Sequence, residues 1–352
     1  MFLQSYLESN LKLKILGMFD IENECYEEVK QSLSEIFKQI DELEEITVNE
    51  KKFMVEKKMG GDLKFLSILY GINSANSNYP CIWCTCPKSS FGDLSKQYSI
   101  TDKAKGARKL EEARKILAKT PRERMKPAEH LGYQNLPLTN IEFDCCVIDV
   151  LHMFLRIAET LLKLFLSDIF LADETDTNDL EKRPHLKRFV IFLKEINIYN
   201  PIYTKERKFE FRTFRGDELL RIFSIANLET LFPGMRNISY ISSIWSQFYN
   251  LIMEIRNNQT DSIEERLFEW LALFLLTYMP NHITPYIHSF VFHIPEFIKL
   301  HGDVNLFNLQ GLEKLNDIST QNYHRSSNKK NDNKQYIKQM IEKRNRLEYF
   351  NS

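Results

Sequence analysis

The chain of 352 residues is 43% hydrophobic and 12% aromatic with a formal net charge of −1, which supplies a large core and excludes both a disordered chain and a globally basic nucleic-acid binder. The apolar run at 267–279 is too short to span a bilayer and carries Glu269 and Trp270, and the opening Met1–Glu8 has no signal-peptide pattern. Six cysteines, four of them as Cys81/Cys84 and Cys145/Cys146, do not form a secreted disulfide framework, so a reducing compartment, cytosol or nucleus, is expected.

In chain order, Leu11–Phe19 reads as a short strand, and Glu24–Glu45 carries helical spacing through Val29, Leu33, Ile36, Phe37 and Ile40. Lys52–Met59 reads as a second strand with Phe53 and Val55 on one face, broken by Gly60-Gly61. Leu63–Tyr70 opens a helix that Gly71 stops. A polar, basic stretch follows around a helix at Lys103–Lys119, with Arg122, Arg124 and Lys126 beyond it. From there the periodicity is helical over Val147–Phe170, Leu186–Ile196, Glu218–Leu228, Ile241–Arg256 and Ser262–Thr277. Breaks fall at the acidic loop Asp168–Asp179 and at Pro233-Gly234, and a basic helix at Gln335–Tyr349 closes the chain.

Two cysteines and two histidines stand out. Cys81-x-x-Cys84 places two thiolates on a tight turn, which suits one half of a tetrahedral zinc site, with Cys86 as a competing third thiol. His288 and His293 are five apart, about 140° around an ideal helix, so both can bind one ion only where the helix is interrupted. Pro295 makes such an irregularity plausible. Two readings of these four residues compete: a buried thiol turn beside two packed histidines, or a structural zinc that cross-links both ends of the intervening chain. Four protein ligands would leave no open coordination position, which separates this site from a catalytic zinc.

Two carboxylates bracket that set. Asp62 follows two glycines at a strand end, where backbone and substrate can approach closely. Glu313 lies on a helix in Gly311-Leu-Glu-Lys-Leu-Asn-Asp-Ile318, where the carboxylate can face Asp62 while Leu312 and Leu315 pack inward. Carboxylates so placed can hold Mg²⁺ or Mn²⁺ for phosphoryl transfer, although most single carboxylates are solvated surface charges.

The whole pattern resembles the catalytic core of the recombination-activating protein 1 and Transib family of cut-and-paste transposases. The likeness rests on Gly61-Asp62-x₁₈-Cys81-x₂-Cys84, on Ile283-Thr-Pro-Tyr-Ile-His288-x₄-His293-Ile-Pro-Glu, on Glu313, and on the segments Ile148-Asp149-x-Leu-His152 and Asn322-Tyr-His-Arg325. It spans residues 11–348 and implies an α+β, mostly helical chain: a partial RNase H-like core interrupted by a large zinc-tethered helical insert. The implied division is 1–80 for core strands and the helix carrying Asp62, 81–293 for the insert, and 294–352 for the last core helix with Glu313 and the basic C-terminal helix.

The resemblance also implies a DDE-type site of three carboxylates, metal-activated strand cleavage and transfer, a DNA partner, a possible homodimer, no membrane, and a nuclear location. Only 61 residues precede Asp62, so the chain is expected to begin near the third strand of that core, without the first catalytic Asp, and to be inactive alone. DNA contacts are expected from Lys103–Lys126, from Lys205, Arg207 and Lys208 with Arg212 and Arg215, and from Arg325–Arg346. The alternative is a non-catalytic, zinc-stabilised DNA- or protein-binding module.

Overall fold

The computed structural model describes residues 2–5, 12–15, 23–100, 131–175, 179–205 and 208–309, with isolated positions between and beyond them. Strands β1 (Phe2–Ser5) and β2 (Lys12–Ile15) form one antiparallel hairpin. Helix α1 (Tyr26–Glu42) buries Val29, Leu33 and Phe37, the stripe its spacing predicts. It ends three residues before the expected Glu45, because Leu43 turns extended and the run Ile46-Thr-Val48 is β-branched. That run is β3 (Glu45–Val48), paired with β4 (Lys51–Met54) across a two-residue turn in which Asn49 and Glu50 both have positive φ, the conformation a tight hairpin of right-handed twist requires.

The expected strand Lys52–Met59 is therefore two pieces. Its first half is β4, and at its end Met59 makes an isolated parallel bridge to Cys146. Helix α2 (Leu63–Leu69) follows the Gly60-Gly61 break as expected.

Helix α3 (Val150–Ala172) organises the rest. Ten of its residues are buried, at positions 150, 153, 154, 157, 158, 161, 162, 165, 166 and 169, a continuous apolar stripe facing the core. The stripe carries the helix through Asp168, which the acidic composition had assigned to a loop; Ile169 is buried and Asp168 accepts a hydrogen bond from the Tyr278 hydroxyl at 3.1 Å.

Around α3 pack α4 (Pro184–Glu195), α5 (Gly216–Ile225), α7 (Ile238–Arg256) and α9 (Pro285–Phe292), with short α6 (Leu228–Leu231), α8 (Ile263–Thr277) and α10 (Ile294–His301) completing the shell. A third hairpin, β5 (Ile202–Lys205) with β6 (Lys208–Phe211), interrupts the helices between α4 and α5.

The core is aromatic. Phe165 lies edge-on to Trp245 with ring centroids 5.2 Å apart, Phe223 stacks on Trp245 at 4.3 Å, and the buried Trp270 indole donates to the Ile244 carbonyl at 3.0 Å. One continuous cluster of buried side chains runs from Val29 to Val304. The chain is mostly helical α+β, and among the described residues its strands are three two-stranded hairpins. No helix among those residues is long and apolar enough to cross a membrane.

Candidate metal centre

Cys81, Cys84, His288 and His293 converge although 204 residues separate Cys84 from His288. All four are buried, and their candidate ligand atoms lie within 4.8 Å of one another. Cys81 Sγ is 3.3 Å from His293 Nε2, and Cys84 Sγ is 3.2 Å from His288 Nε2. A tetrahedral ion with Zn–S of about 2.3 Å and Zn–N of about 2.05 Å sets its S···N edges at about 3.6 Å, so the present spacing needs only a small expansion to admit one.

Local structure accounts for each ligand. The Cys81-x-x-Cys84 turn aims backbone N–H groups at its sulfurs: Cys84 donates to Cys81 Sγ at 3.5 Å and Cys86 donates to Cys84 Sγ at 3.4 Å. Such donors stabilise thiolate charge. Trp83, inside the turn and fully buried, anchors it by donating to the Cys146 carbonyl at 2.8 Å.

On the other side, Thr284 caps α9 by accepting from Ile287 N–H, and Pro285 occupies its first turn. His288 sits within α9, and His293 is the joint at which α9 ends and α10 begins, with Pro295 in the first turn of α10. The interruption demanded by the five-residue spacing is this joint. It turns the two imidazoles to one point, with ring centroids 5.0 Å apart.

Aromatic rings seal the centre from water. Phe91 stacks on His288 at 4.2 Å, Phe292 tilts against it at 4.9 Å, and Trp83 meets His293 edge-on at 5.8 Å. The thiols respond to this environment asymmetrically. Burial opposes charge on Cys81, but the hydrogen bond from Cys84 and the neighbouring His293 and His288 imidazoles hold its thiol well below the ordinary range. Burial pushes Cys84 up, and the neighbouring Cys81 adds to that push.

Cys86, the competing third thiol, lies outside the cluster, and burial raises it to about 12, so it stays a neutral thiol. The cluster can thus hold a structural metal such as zinc, which would fix the ligand protons as the thiols alone do not. An ion bound by all four side chains would have no position left for substrate.

The carboxylates are placed differently. Asp62 is the N-cap of α2, its Oδ1 accepting from Phe65 N–H at 2.7 Å, while the neighbouring Leu63 N–H donates to the Tyr286 hydroxyl at 3.2 Å. Burial pushes the Tyr286 hydroxyl up, and the carboxylates of Asp62 and Asp149 push it the same way while Arg156 opposes them. Tyr286 therefore lies within the fields of both acids.

Asp149 is 3% exposed and fully engaged: it accepts from Leu151, His152 and Leu309 N–H groups, each at 3.1 Å, and from the His152 ring. With both oxygens occupied it is an N-cap and a tie, not a free metal ligand. The Leu309 side chain in turn lies 3.7 Å from where a Cβ on Gly60 would stand. Glu313 itself lies outside the described residues.

Among the expected DNA contacts, Arg212 is committed to Glu218 through two nitrogens at 2.6 and 2.8 Å, and Arg215 pairs with Asp217 at 3.2 Å. Lys205 stands exposed at the end of β5. The stretches Lys103–Lys126 and Arg325–Arg346, with Asn322–Arg325, fall largely outside the described residues. The chain matches no family model, and no curated protein matches it.

Proposed function

We propose that this chain is the zinc-tethered core of a transposase- or recombinase-like DNA-processing protein of DDE type, inactive alone. The convergence of Cys81, Cys84, His288 and His293 carries the proposal: a Cys₂His₂ centre assembled from two ends of a helical insert is what the resemblance to the recombination-activating and Transib-type transposases implies for these four residues. The finer architecture belongs to the same proposal, with residues 1–80 and 294–352 contributing a partial RNase H-like core around the insert.

Asp62 and Glu313 would hold Mg²⁺ or Mn²⁺, the ion that supplies Lewis acidity to phosphoryl transfer when bound. Two carboxylates are too few to organise two metal ions, so these two by themselves would not support cleavage. DNA would be held through phosphate contacts, in the nucleus.

The second reading, a non-catalytic zinc-stabilised module that binds DNA or protein, is favoured by one observation: an Asp62 oxygen already caps α2. The deciding experiment incubates purified full-length chain with plasmid DNA and Mg²⁺ or Mn²⁺ and measures binding across a salt series alongside nicking. Binding that weakens steeply with salt, without nicking, is expected. Nicking by wild type that Asp62→Asn abolishes would mean that the chain is active alone, against the proposal, and no salt-dependent DNA binding removes the DNA-processing reading.

A further inference from the structure

Arg256, the last residue of α7, carries a positive charge that the fold leaves without a counter-charge. It is half-buried, with its guanidinium carbon 5.1 Å from the centre of the buried Phe154 ring, which stacks in turn on Phe248. The Arg256 Nε is buried and has no acceptor, while the terminal nitrogens reach the surface. Among the described residues no carboxylate pairs with it. Asp149 has both oxygens committed to backbone N–H groups and the His152 ring, and Glu254 is held by Arg266 at 2.5 Å.

The ordinary roles of an arginine at a helix end are filled by other groups. The N–H groups of Asn257, Asn258 and Gln259 donate to the Met253, Ile255 and Glu254 carbonyls, and the Asn305 side chain donates to Ile255 at 2.8 Å. The last turn of α7 therefore needs no cap from Arg256. A guanidinium taken partly out of water with no acceptor costs free energy. Burial accordingly pulls Arg256 down from its ordinary range, against the Tyr249 hydroxyl and the Asp149 carboxylate. Tyr249 stands seven residues earlier, two turns along the same face of α7.

We propose that Arg256 and Tyr249 form a binding subsite for a phosphate group, where the end of α7 meets Phe154 of α3 and the turn Val304–Phe307. A phosphate supplies the missing counter-charge and two oxygens spaced for the planar guanidinium fork. The Phe154 ring holds that plane from beneath, so the fork is oriented before the anion arrives. The Tyr249 hydroxyl donates a further hydrogen bond to the same anion. Lysine could not replace Arg256, because a point charge neither stacks nor forks. The phosphate belongs either to a nucleic-acid backbone or to a free phosphate. The chemistry of the site is the same for both.

Thermal unfolding of the full chain in phosphate and in chloride, at matched pH and ionic strength, tests this with Arg256→Met and Tyr249→Phe. Wild type is expected to gain saturable stability from inorganic phosphate. Arg256→Met keeps the apolar packing on Phe154 and is expected to bind phosphate about tenfold more weakly. In chloride it melts at or above the wild-type temperature, because an unpaired charge has gone. Tyr249→Phe keeps the guanidinium and weakens phosphate by about fivefold.

A labelled DNA duplex titrated over a salt series reads the source of the phosphate. For a nucleic-acid phosphate, Arg256→Met weakens duplex binding and lowers the salt slope by about one; an unchanged slope assigns the site to a free phosphate. Phosphate that stabilises wild type no more than chloride, or stabilises Arg256→Met equally, overturns the proposal. So does an Arg256→Met chain that melts lower in chloride yet keeps the phosphate response, the signature of a structural arginine. Failure of wild type to bind DNA counts against the proposed function alone, and the phosphate response still decides this site.

Discussion

Each ligand of the metal centre is held by a different backbone device: Cys81 and Cys84 by a turn whose N–H groups face the sulfurs, His288 by a capped helix, His293 by a helix joint. Removing one ligand therefore leaves the other three in place but without a complete tetrahedron. A site filled at a hundred times its dissociation constant stabilises the folded chain by about 2.7 kcal/mol. We expect Cys81→Ser and His293→Ala each to lose stoichiometric metal by elemental analysis and to lower the melting temperature by about 3–4 °C. Wild-type stability with no bound metal would remove the tether.

A second residue-scale test concerns Glu218. The hydrogen bonds from Arg212 hold its carboxyl at about 2 against the opposing effect of burial, and Arg215 N–H adds to the lowering. A carboxyl depressed on folding adds stability that is complete above its unfolded value, about 4.3, and is lost as the pH falls through the folded one. Glu218→Gln should thus be less stable than wild type at pH 7, with the gap in melting temperature closing below about pH 4.3. A gap independent of pH would show that the Arg212–Glu218 pair does not act through charge.

At the scale of elements, Asp149 joins α3 to the distant Leu309 segment: it caps the helix, holds His152 in its first turn, and accepts from the Leu309 backbone. Loss of an N-cap costs about 1 kcal/mol, and stranding a buried N–H costs a further 1–3 kcal/mol. Asp149→Ala is expected to destabilise by about 3 kcal/mol in denaturant titration. Asp149→Asn, which keeps one acceptor oxygen, should cost less, and equal costs would contradict the shared tie.

Much of this level was legible in the sequence. The helices at 150–172, 184–195, 238–256 and 263–277 follow the apolar periodicity to within a few residues, because burial of one stripe decides them. The hairpins were not. Ile46-Thr-Val48 is too short to show alternation, and Ile202–Phe211 was masked by its charges, so each depends on a turn that no periodicity reveals.

For the whole molecule, one buried cluster of side chains runs from Val29 to Val304, and the candidate metal centre brings residues 81–84 against 288–293 within it. Chelation should lower the melting temperature without dissolving the helices, unlike a small zinc finger, which unfolds outright without its ion. Circular dichroism before and after chelator measures this; complete loss of helicity would mean that the core cannot stand without the ion.

The sequence by itself determined the helical class, the apolar stripes and the identity of four candidate ligands, since these follow from residue type and local spacing. Tertiary structure alone decided that the ligands meet, that Cys86 stays out, that the helix breaks at His293, and that Asp149, Arg212 and Arg215 already have partners. The physical reason is range. Periodicity and capping act over a few residues, whereas a site closed across 204 residues exists only once the core has packed.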